Sequence, residues 1–114
     1  MTPFKAGDVV VVEFPFSDFQ TFKRRPGLVL FAGETDLLLA RITTHPPREV
    51  SDVALKNWGE AGLPRASTIR LTKLATIDRR LIHHKIGRAQ PDDRKSILAA
   101  WQQMADTLAT ELQK

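Results

Sequence analysis

The chemistry in this sequence starts with Lys23-Arg24-Arg25, three cations in a row just before Pro26. A guanidinium offers a planar fork of donors that matches phosphate oxygens, and it stays charged at any relevant pH. It can also stabilise negative charge building on a reacting phosphorus. A solvated basic patch, or one paired with Asp8, Glu13 or Asp18, would look the same in sequence. Thr43, Thr44 and His45 form a second group: two hydroxyls and an imidazole at a strand-loop boundary, where binding residues are often placed. Threonine at a strand end is also ordinary β-former chemistry, and a single loop histidine is often a bystander. Phe16, Phe19 and Phe22 crowd one polar loop. They either fold back on the core or a dimer interface, or make a platform on which bases stack.

Other constellations are missing. The chain has no cysteine, so it has no thiolate nucleophile, disulfide framework or cysteine-based zinc site. His83 and His84 are adjacent, and on a strand they would point to opposite faces rather than share a metal. Asp92 and Asp93 are neighbours at the start of a helix, where they diverge and favour its positive end. The sequence contains no GxSxG, GxxxxGK, HExxH or GxGxxG pattern, which argues against a nucleotide-dependent enzyme. No metal or cofactor is expected.

Short strands must position these groups. The β-branched run Val9 to Phe14 reads as a first strand, followed by a loop from Pro15 to Phe22. Pro26 to Phe31 and Thr35 to Thr43 read as a hairpin joined tightly at Gly33 and Glu34. His45 to Arg48 is a loop because of its two prolines, Ser51 to Leu55 is a short fourth strand, and Asn57 to Pro64 is irregular. From Thr68 to Ile77 polar and apolar residues alternate, which predicts a strand with one wet face. Asp78 caps a short helical turn through Leu81, and Ile82 to Gly87 is the last strand. A terminal helix runs from Pro91 to Leu112. Its stripe of Ile97, Trp101, Met104, Leu108 and Leu112 is expected to pack on the sheet, with Trp101 and Met104 as core residues.

At 114 residues, 42% hydrophobic and 26% charged, the chain reads as one folded domain over residues 1–114. The net charge of +4 favours polyanionic partners, nucleic acid or an acidic protein tail. No signal-peptide pattern and no apolar run near about 18 residues is present, so a cytoplasmic protein with no membrane association is expected.

Three blocks, in order, resemble MazF/PemK-type toxins: GDVVVVEFPF (7–16) with KRRPGLVL (23–30), then ARITT (40–44), then WGEAGLPRASTIRLTKLATID (58–78). With the terminal helix, the resemblance covers nearly the whole chain. It implies an SH3-like small β-barrel with a C-terminal helix, hence a mainly β fold with one helix (α+β). It also implies a homodimer and a toxin of a type II toxin-antitoxin system. Such toxins cut single-stranded mRNA without metal. The RNA's own 2′-hydroxyl is the nucleophile, and the cut leaves 2′,3′-cyclic phosphate and 5′-hydroxyl ends.

By position, the resemblance makes Arg25 the group that stabilises the phosphorane or donates a proton, and Thr43 the group that positions the phosphate. Lys23, Arg24, Thr44, His45 and Arg70 would contact RNA, and Phe16 or Phe19 would stack a base. One branch of the family has Arg-x-Asp on the strand after the serine, and here that strand reads Arg70-Leu71-Thr72. That branch also uses a loop histidine, and Ser17 to Phe22 contains none. The expected partner is an antitoxin whose acidic, disordered tail covers the basic groove. The competing class is a non-catalytic SH3-like binding module or a gyrase poison of related fold.

Overall fold

Four consecutive valines, Val9 to Val12, set the architecture, because a strand sends successive side chains to opposite faces. A computed structural model describes residues 3–15 and 22–114, with the side chains of residues 14, 15, 22 and 23 outside the description. In it Val9 joins one buried cluster while Val10 and Val12 join another on the opposite face. The first cluster gathers Leu28, Ile42, Ile69, Leu71 and Ile97 between sheet and helix. The second holds Val29, Leu37 and Leu39. An apolar run on both parities therefore marks a strand buried on both sides.

The strands are β1 (Asp8–Pro15), β2 (Phe22–Ala32), β3 (Asp36–Thr43), β4 (Asp52–Ala54), β5 (Thr68–Asp78) and β6 (His84–Arg88). One helix follows, α1 (Pro91–Leu112). The six strands form a single antiparallel sheet in the order β4-β5-β3-β2-β1-β6. Among the described residues no ladder joins β4 to β6, so the sheet is open rather than closed into the expected barrel. Register breaks at Val9/Val10, Val29/Phe31 and Ala40/Arg41 bend it instead.

β2 begins earlier than the expected Pro26, because Lys23, Arg24 and Arg25 pair with Phe14, Glu13 and Val12 of β1. Its ladder to β3 starts only at Gly27, opposite Arg41. Pro26 thus lies where β2 has a partner on one side, a position that a residue without an N–H tolerates. The arm carrying Arg24 and Arg25 projects past β3 as a two-stranded ribbon.

The helix bounds match the expectation, but its apolar stripe packs on the core only as far as Met104. Ile97 is buried and Met104 half-buried, while Trp101, Leu108 and Leu112 are 37%, 58% and 75% exposed. At 1.5 Å per residue the helix is about 33 Å long and outruns the sheet it lies on. Its N-terminus is fixed by Asp93, which is buried and accepts the Lys56 and Asn57 backbone N–H groups, each at 2.9 Å. That role is more specific than the dipole effect expected for it. β5 also departs from a single wet face: Thr68 to Leu71 are all buried, and exposure begins at Thr72.

Asp78 caps the 3-10 turn Arg79–Leu81, as its position suggested. The Arg80 side chain and backbone N–H both donate to it and hold its carboxyl down to about 2. Buried Asp8 accepts the Lys5 N–H and lies 3.3 Å from the Lys85 Nζ and 3.4 Å from an Arg88 guanidinium nitrogen, tying β1 to β6. Behind the site, the segment at Gly62 crosses β6 at Gly87. A Cβ at either glycine would run into the carbonyl of Ile86 or Ala61, and Gly62 also has φ +92°.

Candidate nucleic-acid interface

The gap where β2 and β3 part is the mouth of a cleft of about 630 Å³. Arg25 and Thr43 each lie two residues beyond the final Gly27–Arg41 pair, and both line the cleft. Arg24, Thr44 and His45 line it too, so five of the eight residues singled out from sequence share one site. Strand alternation puts Arg24 and Thr44 on one face and Arg25 and Thr43 on the other; the cleft therefore wraps the end of the sheet. Val11, Ile42, Leu63 and Ile86 contribute apolar wall, and the segment Leu63–Ser67 closes one side. That segment is held by the Gly62–Gly87 crossing and by the bond that the Ser67 hydroxyl donates to the Arg65 carbonyl, 2.8 Å.

Of the other three, Arg70 alone is described with its side chain. Phe16 and the Lys23 side chain are outside the described residues. Arg70 is not in the lining: it is 5% exposed, with a guanidinium nitrogen 3.6 Å from Asp52. Its position on β5 between β3 and β4, the two strands that cover it, buries it where a strand on the sheet's edge would have exposed it. Arg41, Arg65 and Ser67 are also in the lining, and none was singled out as a site residue. Arg41 could have been found, since it lies two residues before Thr43 and so shares its side of β3. Arg65 could not, because its place depends on the crossing at Gly62.

The electrostatics favour an anion. Arg24, Arg25, Arg41 and Arg65 line the cleft, and among the described residues no carboxylate does. Burial, then the neighbouring charges of Arg25 and Arg70, lower the affinity of Arg41 for its proton. The Thr43 hydroxyl accepts the His45 backbone N–H at 3.2 Å, which fixes its rotamer while keeping its own hydrogen for a ligand oxygen. Glu13 and Asp8, candidates for neutralising the basic run, meet His83 at 3.3 Å and the Lys85–Arg88 pair. The loop from Arg48 is clamped by Asp52, which accepts the N–H groups of Arg48 (2.8 Å) and Glu49 (3.1 Å). Thr72, which stands where one branch of the resembled family has an aspartate, donates to the Glu49 carboxylate at 3.1 Å. A carboxylate thus reaches that position from the loop. Among the described residues no group of three His, Asp or Glu side chains could hold a metal ion, and no helix is long and apolar enough to cross a membrane.

A family model described as PemK-like, MazF-like toxin of type II toxin-antitoxin system matches residues 5–105. No curated protein matches by sequence. Among solved structures, Mycobacterium tuberculosis toxin MazF-mt6 superposes with a TM-score of 0.71 at 20% identity, covering 87% of this chain and 96% of that one. A mycobacterial endoribonuclease in complex with its cognate antitoxin gives 0.69 at 16% identity, covering 87% and 90%. A chain of a MazE-MazF structure from Deinococcus radiodurans gives 0.66 at 17% identity, covering 88% and 92%. At these identities the superpositions establish a shared fold.

Proposed function

Since the chain belongs to the PemK-like, MazF-like toxins of type II toxin-antitoxin systems, we propose that it is a metal-independent endoribonuclease that cuts single-stranded mRNA in the cytoplasm. One observation carries this reading: Arg25 and Thr43, from two strands, flank the gap that opens a cleft lined by arginines and, among the described residues, by no carboxylate. Such a site is suited to hold a phosphodiester and to stabilise extra charge on it.

In the proposed reaction the 2′-oxygen of the RNA attacks the adjacent phosphorus, so a P–O2′ bond forms as the P–O5′ bond breaks. The proton leaves the 2′-hydroxyl, and one is delivered to the departing 5′-oxygen. Arg25 stabilises the phosphorane or supplies that proton, and Thr43 donates to a phosphate oxygen to set the line of attack. Arg24, Thr44 and His45 at the cleft, with Lys23, hold the flanking strand, and Phe16 stacks a base. Arg70, paired with Asp52, acts from behind the cleft. The test is a long single-stranded RNA incubated with the protein in EDTA. Discrete fragments are expected; RNA left intact would favour a binding module or gyrase poison.

The same charge predicts the inhibitor. Structures of relatives described as antitoxin complexes support a partner whose acidic, disordered tail lies over the arginines of this cleft, each toxin subunit acting within a homodimer. Its affinity should fall as salt rises from low to high ionic strength, because screening weakens exposed charge pairs. Titrations that give one dissociation constant throughout would rule out charge as the driving term.

A further inference from the structure

The helix carries a second apolar line besides the one that holds it to the sheet. Ile97, Ala100 and Met104 pack on the core. About a quarter-turn round the helix, Leu98, Trp101, Ala105, Leu108 and Leu112 follow one another at steps of three, four, three and four. That is the alternation by which one helix packs along another. The line is exposed from end to end, Leu98 by 56%, Leu108 by 58% and Leu112 by 75%. At its start it borders a groove of about 320 Å³ between α1 and the β2–β3 hairpin, walled by Leu28, Phe31, Leu38, Leu98 and Trp101. Phe31 is itself 65% exposed, so the described residues leave this groove open. One molecule therefore presents an apolar groove and, farther along the same line, a projecting apolar helix end. Contiguous apolar surface of this kind marks a docking face.

We infer that this face takes a second copy of the chain, the two α1 helices lying antiparallel with Trp101 at the two-fold axis. The inference rests on the homodimer reading above and names its surface. A two-fold interface must be complementary to itself. Leu108 and the groove residue Arg94 each lie seven residues from Trp101, so reversing the helix about Trp101 lays Leu108 of each copy over the groove of the other. The charges agree with this direction. Lys95 and Asp106 are both exposed and eleven residues apart, about three turns, so they share one flank of the helix on either side of Trp101. Antiparallel packing brings each Lys95 beside the partner's Asp106, whereas parallel packing would set like charges together. Phe31 lies six residues along β2 from Arg25, about 20 Å away, so the interface leaves both RNA clefts uncovered.

The test is sedimentation velocity of the full chain over a range of concentration, with circular dichroism to check folding. The variants are Leu108→Lys, Lys95→Asp, Asp106→Lys, the double swap Lys95→Asp/Asp106→Lys, and the control Leu81→Lys, which alters the 64% exposed leucine of the 3-10 turn. Wild type is expected to sediment as a dimer and Leu81→Lys to match it. Leu108→Lys should dimerise at least about a hundredfold more weakly, because each dimer then sets two ammonium groups in apolar grooves beside the partner's Arg94. Each single charge change should weaken the dimer about threefold at low salt, and the double swap should restore it, a coupling that only the antiparallel arrangement predicts. The charge changes alter no apolar residue, so they decide the matter if Leu108→Lys does not fold. A dimer that a folded Leu108→Lys leaves intact, or charge changes that do not couple, would overturn the inference and leave the homodimer reading standing. A wild type that stays monomeric at every concentration would overturn the homodimer reading, and this inference with it.

Discussion

Arg25→Ala is expected to slow RNA cleavage by about 10²–10³-fold, the usual cost of removing one donor aimed at developing oxyanion charge. The thermal midpoint should hardly change. Arg25 is half-buried at the cleft mouth, on the arm of β2 that projects beyond β3, so its loss opens no core cavity. Arg25→Lys should recover only part of the rate, because it keeps the charge but loses the two-pronged geometry. Single-turnover cleavage under excess enzyme separates this from a binding defect. A rate within about threefold of wild type would remove Arg25 from the chemistry.

Asp52→Ala has the largest expected effect on stability, about 3–5 kcal/mol, because it strands the Arg70 guanidinium as a buried charge without its partner. The same carboxylate fixes the start of β4 and the Arg48–Glu49 turn, so those two backbone N–H groups would be released as well. Urea unfolding would register the loss as a lower midpoint at constant slope. Adding Arg70→Met should restore much of the stability, since an apolar side chain needs no counter-ion. A single-variant loss below about 1 kcal/mol would mean that the pair is solvated like a surface bridge.

Much of the fold was legible because periodicity and end signals agreed. Pro91 at the first position of α1, uninterrupted helix formers and the lack of any later glycine or proline gave both helix ends. Gly33 marked the β2–β3 turn, whose N–H bonds to the Asp36 carbonyl, and Asp78 marked the 3-10 turn. Two things depend on tertiary placement and were not legible. The stripe through Trp101, Leu108 and Leu112 shows which side of the helix is apolar, but not how far the sheet reaches beneath it. The pattern of Arg70-Leu71-Thr72 shows alternation, but not that β4 and β3 flank the strand and bury its arginine.

The cleft follows the same division. Arg25 and Thr43 stood out through residue type and position in the chain, and they meet because two strands pair in register up to Gly27 and Arg41 and then part. Arg65 arrives through a loop whose path is set by two glycines about 25 positions apart, 62 and 87, at which any Cβ would collide with backbone. Glu49 reaches Thr72 across the Asp52 clamp. Pairings of that range leave no local signature in the sequence.

In the proposed reaction this cleft turns the RNA's own 2′-hydroxyl on its phosphate without a metal. The ends formed when wild-type protein cuts single-stranded RNA in EDTA decide whether it does. Fragments carrying 2′,3′-cyclic phosphate and 5′-hydroxyl ends are the result predicted here. Fragments with 5′-phosphate and 3′-hydroxyl ends would show that water or another nucleophile attacks from outside, and would contradict the account.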